Sequence, residues 1–500
     1  MFTPKIINRI FISFISIAFI FLISIIFIIL GAPLWLIGLG VFYAINLVCN
    51  TVLILQDRHS DAKISWFFIL TFIPVIAHAI YFIFGQKYKK RVSRDEYIKK
   101  TNEFFQFQNQ TNLLEIELKE NIRTLLQRQE IFTQRKYQKA KTTFFFETTN
   151  AYKQIFEDLE NAKEFIHLHF YIIKTGEIWE HFRKIITKKR SEGVEIRMIV
   201  DDFGNWSMPK SEIDYFKKIG VQIKIFGKVY FPFIGSDNGF RTHRKIVIID
   251  GKILHTGGMN LSDEYASLSK TYGYWIDINL KIEGNFVQQY SLLFLYDWFS
   301  FTKEKLDVNK YAKLNSTENN NSEIILIEDS PENDEPILEE SLITWIENSN
   351  KKITISTPYF IPTFRLFLAI KKALMSGVEV EIFLPGQADK KYVYVVSLYY
   401  AKKIAKYGAK IMILNNVFLH SKTALFDQEL SYIGTMNIDT RSLYSQYETT
   451  NLFLDKDSIQ KLEKNFNDYR NISTLLKIKK SSKILEFFIG IFAKLFSPLM

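Results

Sequence analysis

Residues 243–260 read HRKIVIIDGKILHTGGMN, and residues 420–437 read HSKTALFDQELSYIGTMN. Both stretches follow one pattern, His-x-Lys-x4-Asp, which is continued by a turn of small residues and an Asn. The second copy begins about 180 residues after the first, a spacing the size of a small domain. The repeat therefore predicts two similar halves that build one site together.

Each copy places a histidine and a lysine where a β-strand would bring them together. The residues after the two lysines, IVIID and TALFD, are typical of short buried strands. Side chains two residues apart on a strand share a face. We therefore expect His243 to lie beside Lys245, and His420 to lie beside Lys422.

Such a quartet suits the breaking of a phosphodiester bond. One imidazole can attack phosphorus and form a covalent phosphohistidine, which divides a difficult displacement into two easier steps. The other imidazole can protonate the leaving alcohol and then deprotonate the acceptor, because histidine titrates near neutral pH. The two lysines, with Asn260 and Asn437, would stabilise the charge that builds on the phosphoryl oxygens. This scheme requires no metal ion and no other cofactor, and the other histidines form no metal-binding pattern such as HExxH.

The aspartates of the two motifs are expected to have a structural part. Asp250 and Asp427 each lie seven residues after the histidine, and on a strand this odd spacing points them to the opposite face. Gly251 follows Asp250, and an Asp-Gly pair favours a hairpin turn. We expect both aspartates to hold the end of the strand, although they belong to the motif that defines the catalytic site.

The two motifs are the signature of the phospholipase D superfamily, and the chain resembles the bacterial cardiolipin synthases of that superfamily over nearly its whole length. Further blocks carry the resemblance: DRHSDAKISWFFILTFIPVIAHAIYFIFGQ (57–86), STPYFIPT (356–363), FLPGQADK (383–390), GTMNIDTRS (434–442) and the terminal SPLM. The chain departs from the family pattern at Thr242, at Ile276 and in the run 446–448. These departures leave every proposed catalytic group in place.

The resemblance implies a reaction and two further site residues. The reaction is transfer of a phosphatidyl group from one phosphatidylglycerol to another, which gives cardiolipin and glycerol. In the superfamily an acid downstream of each motif pairs with the histidine of the opposite half, which implies the pairs His243 with Glu448 and His420 with Asp277. By analogy His243 would be the nucleophile and His420 the acid and base. Sequence does not rank the two histidines, so these roles can be exchanged.

The amino-terminal residues predict a membrane anchor. No charged residue lies between Ile10 and Gln56, and the apolar runs 10–30 and 34–55 are each long enough for a helical span of about 20 residues. A third run, 66–85, is either a further span or a buried helix. Basic residues after the last run favour a cytoplasmic position for the catalytic part. We expect a multi-pass protein of the cell membrane.

The expected fold is α/β, with transmembrane helices followed by two phospholipase D-type α/β sandwich lobes that form one pseudo-two-fold active site. The tail is basic and amphipathic, so it is expected to lie on a membrane surface, the alternative being a helix docked on its own domain. The predicted segments are an anchor of two to three helices (1–92), a helical connector (93–144), a first lobe (145–302, motif 238–265), a linker (303–323), a second lobe (324–472, motif 415–442) and the tail (473–500).

Other functions would use some of the same features. A phospholipase D that hydrolyses lipids would use the same residues with water as the acceptor. The net charge of +11 suits phosphatidylglycerol and an anionic phospholipid membrane, but it would equally suit nucleic acid. The anchor and the cardiolipin synthase blocks argue against nucleic acid, and the intact His, Lys and Asn in both halves argue against an inactive scaffold. The single Cys49 excludes a disulfide framework, and the oligomeric state is not predicted.

Overall fold

A computed structural model of the chain describes residues 32–56, 60–72, 77, 78, 81, 92–108, 120–228, 240–269, 272–315, 320–477 and 483–497. The chain divides into two compact units, and both motifs lie in the second. The first unit is Met1–Arg91, Lys228–Gly239 and Lys494–Pro498. The second unit is Val92–Gly227, Phe240–Ala493 and Leu499–Met500.

The first unit contains two apolar helices, α1 (Ala32–Leu55) and α2 (Ser60–Phe72). Leu53 and Trp66 are buried between them, and the side chain of Asn46 donates a hydrogen bond of 3.1 Å across to a main-chain carbonyl of α2. Helix α1 covers the predicted span 34–55, whereas the predicted span 10–30 lies outside the described residues. Among the residues that are described, we find no helix with both the length and the apolar character needed to cross a membrane.

The predicted helical connector begins as expected but ends in a strand. Helices α3 (Arg94–Phe105) and α4 (Glu120–Thr133) lie within 93–144, and strand β1 (Gln138–Phe145) follows them. Buried and exposed residues alternate along the first half of β1, which is the period of a strand with one face in the core. The prediction of helix was therefore wrong for residues 138–144, where pairing with two neighbouring strands outweighs the local helix preference of a Lys-rich run.

The strand-like runs of the first lobe, including IVIID of the first motif, form strands in the structure. Its apolar runs at 165–173, 194–202 and 221–226 form parallel neighbours, because each is followed or preceded by a helix that covers the sheet. The elements after β1 are α5 (Thr148–Glu160), β2 (Phe165–Phe170), α6 (Glu177–Ser191), β3 (Glu195–Asp201), α7 (Lys210–Lys218), β4 (Gln222–Phe226), β5 (Arg241–Thr242), β6 (Ile246–Ile249), β7 (Ile253–Gly257), β8 (Tyr274–Ile276), β9 (Asn279–Glu283) and α8 (Phe286–Thr302).

The second lobe repeats this order. The stretch 303–323, predicted as a linker, contains the short helix α9 (Val308–Tyr311) and the start of β10 (Ser322–Asp329). The tail begins with a strand, β20 (Ser473–Leu475), that pairs with β14 (Lys410–Leu414) and so belongs to the lobe. The elements are β10 (Ser322–Asp329), α10 (Ile337–Glu347), β11 (Lys352–Ser356), β12 (Phe360–Ile361), α11 (Phe364–Met375), β13 (Glu379–Pro385), α12 (Lys391–Ala405), β14 (Lys410–Leu414), β15 (Val417–Leu419), β16 (Thr423–Phe426), β17 (Leu430–Gly434), β18 (Ile438–Asp439), α13 (Thr440–Ser445), β19 (Gln446–Phe453), α14 (Lys456–Asn471), β20 (Ser473–Leu475) and α15 (Lys483–Phe496).

One sheet runs through both lobes. Within the described part of the chain it has 16 strands in the order β20-β14-β13-β11-β16-β17-β19-β10-β1-β9-β7-β6-β2-β3-β4, with β5 paired to β19. The strands β9-β7-β6-β2-β3-β4 match β19-β17-β16-β11-β13-β14 in order and direction. The antiparallel pair β1 and β10 joins the two sets. The two α/β lobes are present as predicted, but their sheets are continuous rather than separate.

Helix α8 fills the core behind the first motif. It is mostly apolar, and its residues from Phe286 to Trp298 are buried, as expected for a helix with no solvent face. Asp297 is a buried acid within this helix, and it accepts hydrogen bonds from Arg244, the residue between the histidine and the lysine of the first motif. The helix therefore holds the first motif from the side that does not carry His243.

Candidate active site

The first motif is fixed to the second lobe through the main chain. His243 and Lys245 lie in an extended segment between β5 and β6, so the strand begins just after the lysine rather than at the histidine. Strand β5 pairs in parallel with β19, and the His243 N–H donates a hydrogen bond of 2.9 Å to the carbonyl of Tyr447. The next residue along β19 is Glu448.

The second motif is fixed to the first lobe in the same way. His420 follows β15, which pairs in parallel with β8. The His420 N–H donates a hydrogen bond of 2.7 Å to the carbonyl of Ile276, and the next residue is Asp277. Each histidine is thus tied to the residue before the acid of the opposite half.

Two crosswise pairs of a histidine and an acid result. Nδ1 of His243 lies 3.0 Å from each carboxylate oxygen of Glu448. Nδ1 of His420 lies 2.6 Å from Oδ2 of Asp277. All four side chains are buried. Because the acids occupy Nδ1, the other ring nitrogen, Nε2, is the one available to a substrate in both halves.

The two lysines lie at the same centre. Nζ of Lys245 donates to the carbonyl of His243 at 2.5 Å, and Nζ of Lys422 donates to the carbonyl of His420. The charges of both lysines act on His420 and on each other. Two buried lysines beside two imidazoles form a centre suited to a phosphoryl anion.

Burial keeps both imidazoles neutral. It lowers the pKa of His243 to about 4, against the opposing effect of Glu448. It also lowers the pKa of His420 well below its usual value, and Lys422 and Lys245 lower it further. At pH 7 both rings are therefore uncharged, the form in which Nε2 can act as a nucleophile or a base.

The two acids differ in protonation. Burial raises the pKa of Asp277 to about 7, although Lys422 acts to lower it. Burial also acts to raise the pKa of Glu448, but His243, Lys245 and a hydroxyl from Thr435 outweigh it and lower that pKa. Near neutral pH the pair of His420 and Asp277 can thus hold a proton, whereas Glu448 is ionised.

The motif asparagines have different partners in the two halves. The side-chain amide of Asn260 donates to the hydroxyl of Tyr265 at 2.6 Å, and its carbonyl accepts from the main chain of residue 172 at 3.0 Å. Oδ1 of Asn437 is buried, and no hydrogen bond to it is found within the described part of the chain. Of the two, Asn437 has the side chain with more remaining capacity to bind a phosphoryl oxygen.

The motif aspartates lie at turns and bind main-chain N–H groups. The carboxylate of Asp250 accepts from the N–H groups of residues 163, 164 and 165 at 2.8 to 2.9 Å. The carboxylate of Asp427 accepts from those of residues 350, 351 and 352 at 2.6 to 2.8 Å. Both residues have a positive φ, near 54°, which suits the turn. The structure thus places both away from the histidines, at the far end of their strands.

Several site residues lie outside the two His-x-Lys-x4-Asp patterns. Tyr171 packs against the ring of His243 with 5.1 Å between ring centres, and Trp275 packs against His420 at the same distance. The hydroxyl of Thr435 donates to Glu448. Tyr171 and Trp275 stand among many aromatic residues, so their sequence carries no signal, whereas Thr435 lies inside the second motif. Among the described residues, no group of three or more His, Cys, Asp or Glu side chains is placed to hold a metal ion.

Comparisons with known proteins agree on one family. The family model "Cardiolipin synthase, PLD-like domain" matches residues 155–298 and 342–470, and the model "Phospholipase_D-nuclease N-terminal" matches residues 44–86. Cardiolipin synthase 2 of Bacillus anthracis is 30% identical over 86% of this chain and 85% of its own length. A cardiolipin synthase of Clostridium perfringens is 31% identical over 89% and 96%.

A solved structure shares the fold. Phosphatidylserine synthase of Haemophilus influenzae superimposes with a TM-score of 0.57, and it covers 75% of this chain and 100% of its own, at 13% identity. The similarity extends across both lobes, since each half of this chain supplies part of the matched length. It supports the two-lobe α/β architecture.

Proposed function

The chain belongs to the cardiolipin synthase family with the PLD-like domain and is a phosphatidyltransferase, and we propose that it transfers a phosphatidyl group from one phosphatidylglycerol to another, giving cardiolipin and glycerol. The observation that carries the proposal is the pair of crosswise contacts, His243 with Glu448 and His420 with Asp277. They bring two oriented imidazoles and two lysines from different halves to one centre.

In the first step Nε2 of His243 attacks phosphorus of the donor lipid. The bond between phosphorus and Nε2 forms as the bond between phosphorus and the glycerol oxygen breaks, and that oxygen takes a proton from Nε2 of His420. The proton held by the pair of His420 and Asp277 near neutral pH supports this role. Lys245 and Lys422 stabilise the charge on the phosphoryl oxygens.

In the second step the free hydroxyl of another phosphatidylglycerol attacks the phosphohistidine. Nε2 of His420 takes the hydroxyl proton, the new bond between oxygen and phosphorus forms, and the bond to Nε2 of His243 breaks. Cardiolipin then leaves, and both histidines return to their starting forms. Neutral rings in a buried site support both the nucleophile and the base.

The direct test gives the purified, detergent-solubilised protein labelled phosphatidylglycerol and separates the products. Cardiolipin with an equal amount of glycerol is the expected result. Phosphatidic acid alone would mean that water is the acceptor, and the chain would then hydrolyse phospholipids. A double variant, His243→Ala with His420→Ala, is the matched control for contaminating activity.

The proposed function requires the protein to bind the membrane surface. Within α15, Gly490 lies against Tyr399, and Ala493 is buried beside Val396. Phe487 and Phe488 of the same helix are exposed. A helix with one face docked on its lobe and an apolar face outward is suited to lie on lipid, so the two sequence-based alternatives for the tail are compatible.

We propose that this helix and the anchor at 1–92 hold the lobes at the membrane, facing the cytoplasm. The test compares sedimentation of the full chain with phosphatidylglycerol vesicles before and after Phe487→Ser with Phe488→Ser. Weaker binding, or a lower rate on vesicles with an unchanged rate in detergent micelles, is expected. Equal rates on vesicles would contradict a role for α15.

A further inference from the structure

The segment after β13 is fixed to the strand that leads to His420. The N–H groups of Gly386 and Gln387 both donate to the carbonyl of Val417, at 3.2 and 3.1 Å. A Cβ on Gly386 would lie 2.0 Å from a main-chain oxygen of β14, so only glycine permits this close approach. Val417 opens β15, which ends directly before His420, so the segment 386–390 is fixed to the strand that leads to that histidine.

This segment carries an acid that neither crosswise pair uses. Asp389 is half-buried, and Oδ2 of its carboxylate accepts a hydrogen bond from the hydroxyl of Tyr359. Its negative charge acts on Lys422 and on Tyr265, and Tyr265 packs edge-on against the ring of His420 with 5.2 Å between ring centres. Within the described part of the chain, no hydrogen bond to Oδ1 of Asp389 is found.

A guanidinium lies on the His243 side of the site. There the guanidinium of Arg441 lies 5.6 Å from the ring of Phe203, and its positive charge acts on Tyr171, which packs against His243. The carboxylate of Asp389 thus acts near Lys422, and the guanidinium of Arg441 acts near Tyr171. A carboxylate accepts hydrogen bonds, so it suits hydroxyl groups and disfavours a phosphate.

We propose that Asp389, oriented by Tyr359, binds the glycerol head group of the acceptor lipid beside His420 and thereby favours transfer over hydrolysis. The inference rests on the proposed function. The glycerol of phosphatidylglycerol has two neighbouring hydroxyls. One loses its proton to Nε2 of His420 and forms the new bond to phosphorus as the bond to His243 breaks, while the other stays intact and donates a hydrogen bond to Oδ1 of Asp389.

Such a contact would change how the phosphatidyl group is divided between two acceptors, water and the glycerol of a second lipid. Water has no second hydroxyl for Asp389 to hold, whereas the bound glycerol is oriented for attack and its effective concentration at the phosphohistidine rises. Lys390 adds a positive charge that acts on His420, and this charge suits the phosphate of the acceptor lipid. In this site Asp389 binds substrate, and Tyr359 is a positioning residue.

The experiment measures the ratio of cardiolipin to phosphatidic acid formed from labelled phosphatidylglycerol in detergent micelles. Asp389→Asn is expected to lower the ratio about tenfold, the effect of one charge-assisted hydrogen bond. Tyr359→Phe, which removes only the orienting hydroxyl, is expected to lower it by a smaller factor. Asp457→Asn, the same change at an exposed acid paired with Lys461 on α14, is the matched control and should leave the ratio unchanged.

A second readout uses an acceptor in which 1,3-propanediol replaces glycerol, so that the attacking hydroxyl remains and its neighbour is absent. The wild-type chain should prefer phosphatidylglycerol to this analogue about tenfold, and Asp389→Asn should accept both nearly equally. An unchanged preference in Asp389→Asn would overturn the proposal, even if its total activity fell. Should Asp389→Asn fail to fold, the same comparison is made with Tyr359→Phe, where an unchanged preference would likewise overturn it. A wild-type chain that forms no cardiolipin would instead refute the proposed function.

Discussion

Glu448 lies 3.0 Å from Nδ1 of His243 through both of its oxygens and also accepts the hydroxyl of Thr435, whereas Asp277 contacts His420 through one oxygen and faces Gly258. Thr435 and Gly258 occupy the same place in the two motifs, GTMN and GGMN. Glu448 therefore accepts an additional hydrogen bond from the side chain of Thr435, whereas Gly258 has no side chain that could donate to Asp277. One half stabilises an ionised acid, and the other allows its acid to keep a proton.

This difference gives the two histidines different tasks. A neutral His243 beside an ionised Glu448 is held as a nucleophile, since the carboxylate fixes the proton on Nδ1 and stabilises the charge that forms on the ring during attack. The pair of His420 and Asp277 can carry the proton that the leaving glycerol needs. A repeat that is symmetric in sequence and in sheet order is thus asymmetric in protonation.

The largest expected effect separates the two tasks directly. His243→Ala and His420→Ala should each lower turnover of phosphatidylglycerol by more than about 10³-fold, because each removes a group that both steps require. With a p-nitrophenyl ester of phosphatidic acid as donor, the leaving group needs no acid. His420→Ala should then release about one equivalent of nitrophenol and stop, whereas His243→Ala should release none. A burst seen only in His243→Ala would exchange the two roles.

The pH dependence tests the two acids. A group that works as an acid is active below its pKa and is lost as the pH rises through it, so the rate should fall above about pH 7, where Asp277 loses the proton that it shares with His420. Asp277→Asn should lower the rate by about 10²- to 10⁴-fold and abolish this fall. A weaker fall near the pKa of Lys422, which burial lowers to about 8, would remain.

Glu448→Gln is the matched variant in the other half. Burial acts to raise the pKa of Glu448, but its neighbours lower it on balance, so this acid stays ionised across the tested range. The variant should therefore lose rate and keep the fall above about pH 7. Profiles of kcat/KM between pH 5 and 9 would decide, and a fall abolished equally by both substitutions would show that the halves do not differ.

The sequence predicted the parts of the site that depend on spacing. The repeated motif located both histidines and both lysines, and the odd spacing of Asp250 and Asp427 indicated turn positions. It could not predict the difference between the halves. That difference depends on how far Asp277 and Glu448 reach into a buried space. It also depends on the pairing of β5 with β19 and of β15 with β8, which joins only two and three residues and leaves no periodic signal.

The fold, like the site, could be predicted from the sequence only in part. Runs such as FIHLHFYII and VEVEIFLPG, which form β2 and β13, have the short apolar composition that suits strands of a covered parallel sheet. Strand β1 was missed, because its Lys and Thr residues read as polar, and its pairing partners lie more than a hundred residues further along the chain. The joining of the lobes into one sheet depends on this strand and was therefore not predicted.

A smaller effect is expected from changing the residue that faces each acid. A Cβ on Gly258 would lie 2.1 Å from Oδ1 of Asp277, so Gly258→Ala must displace a buried carboxylate and should lower the rate by about tenfold to a hundredfold. Thr435→Ala removes one hydrogen bond to Glu448 and should lower it by about fivefold. Measured kcat values, with thermal unfolding midpoints, test whether Gly258→Ala loses more rate than Thr435→Ala. A larger loss of rate in Thr435→Ala would contradict the difference described between Asp277 and Glu448.

The smallest effect on chemistry is expected where the two halves are alike. Asp250 and Asp427 each bind three main-chain N–H groups at the start of a neighbouring strand, and neither contacts a histidine. Asp250→Asn and Asp427→Asn should each reduce the free energy of unfolding by about 1–3 kcal/mol, since an amide accepts fewer and weaker bonds than a carboxylate. The two losses should be equal, with an unchanged ratio of cardiolipin to phosphatidic acid. A changed ratio in either variant would give that aspartate a part in catalysis and extend the asymmetry of the halves to their outer ends.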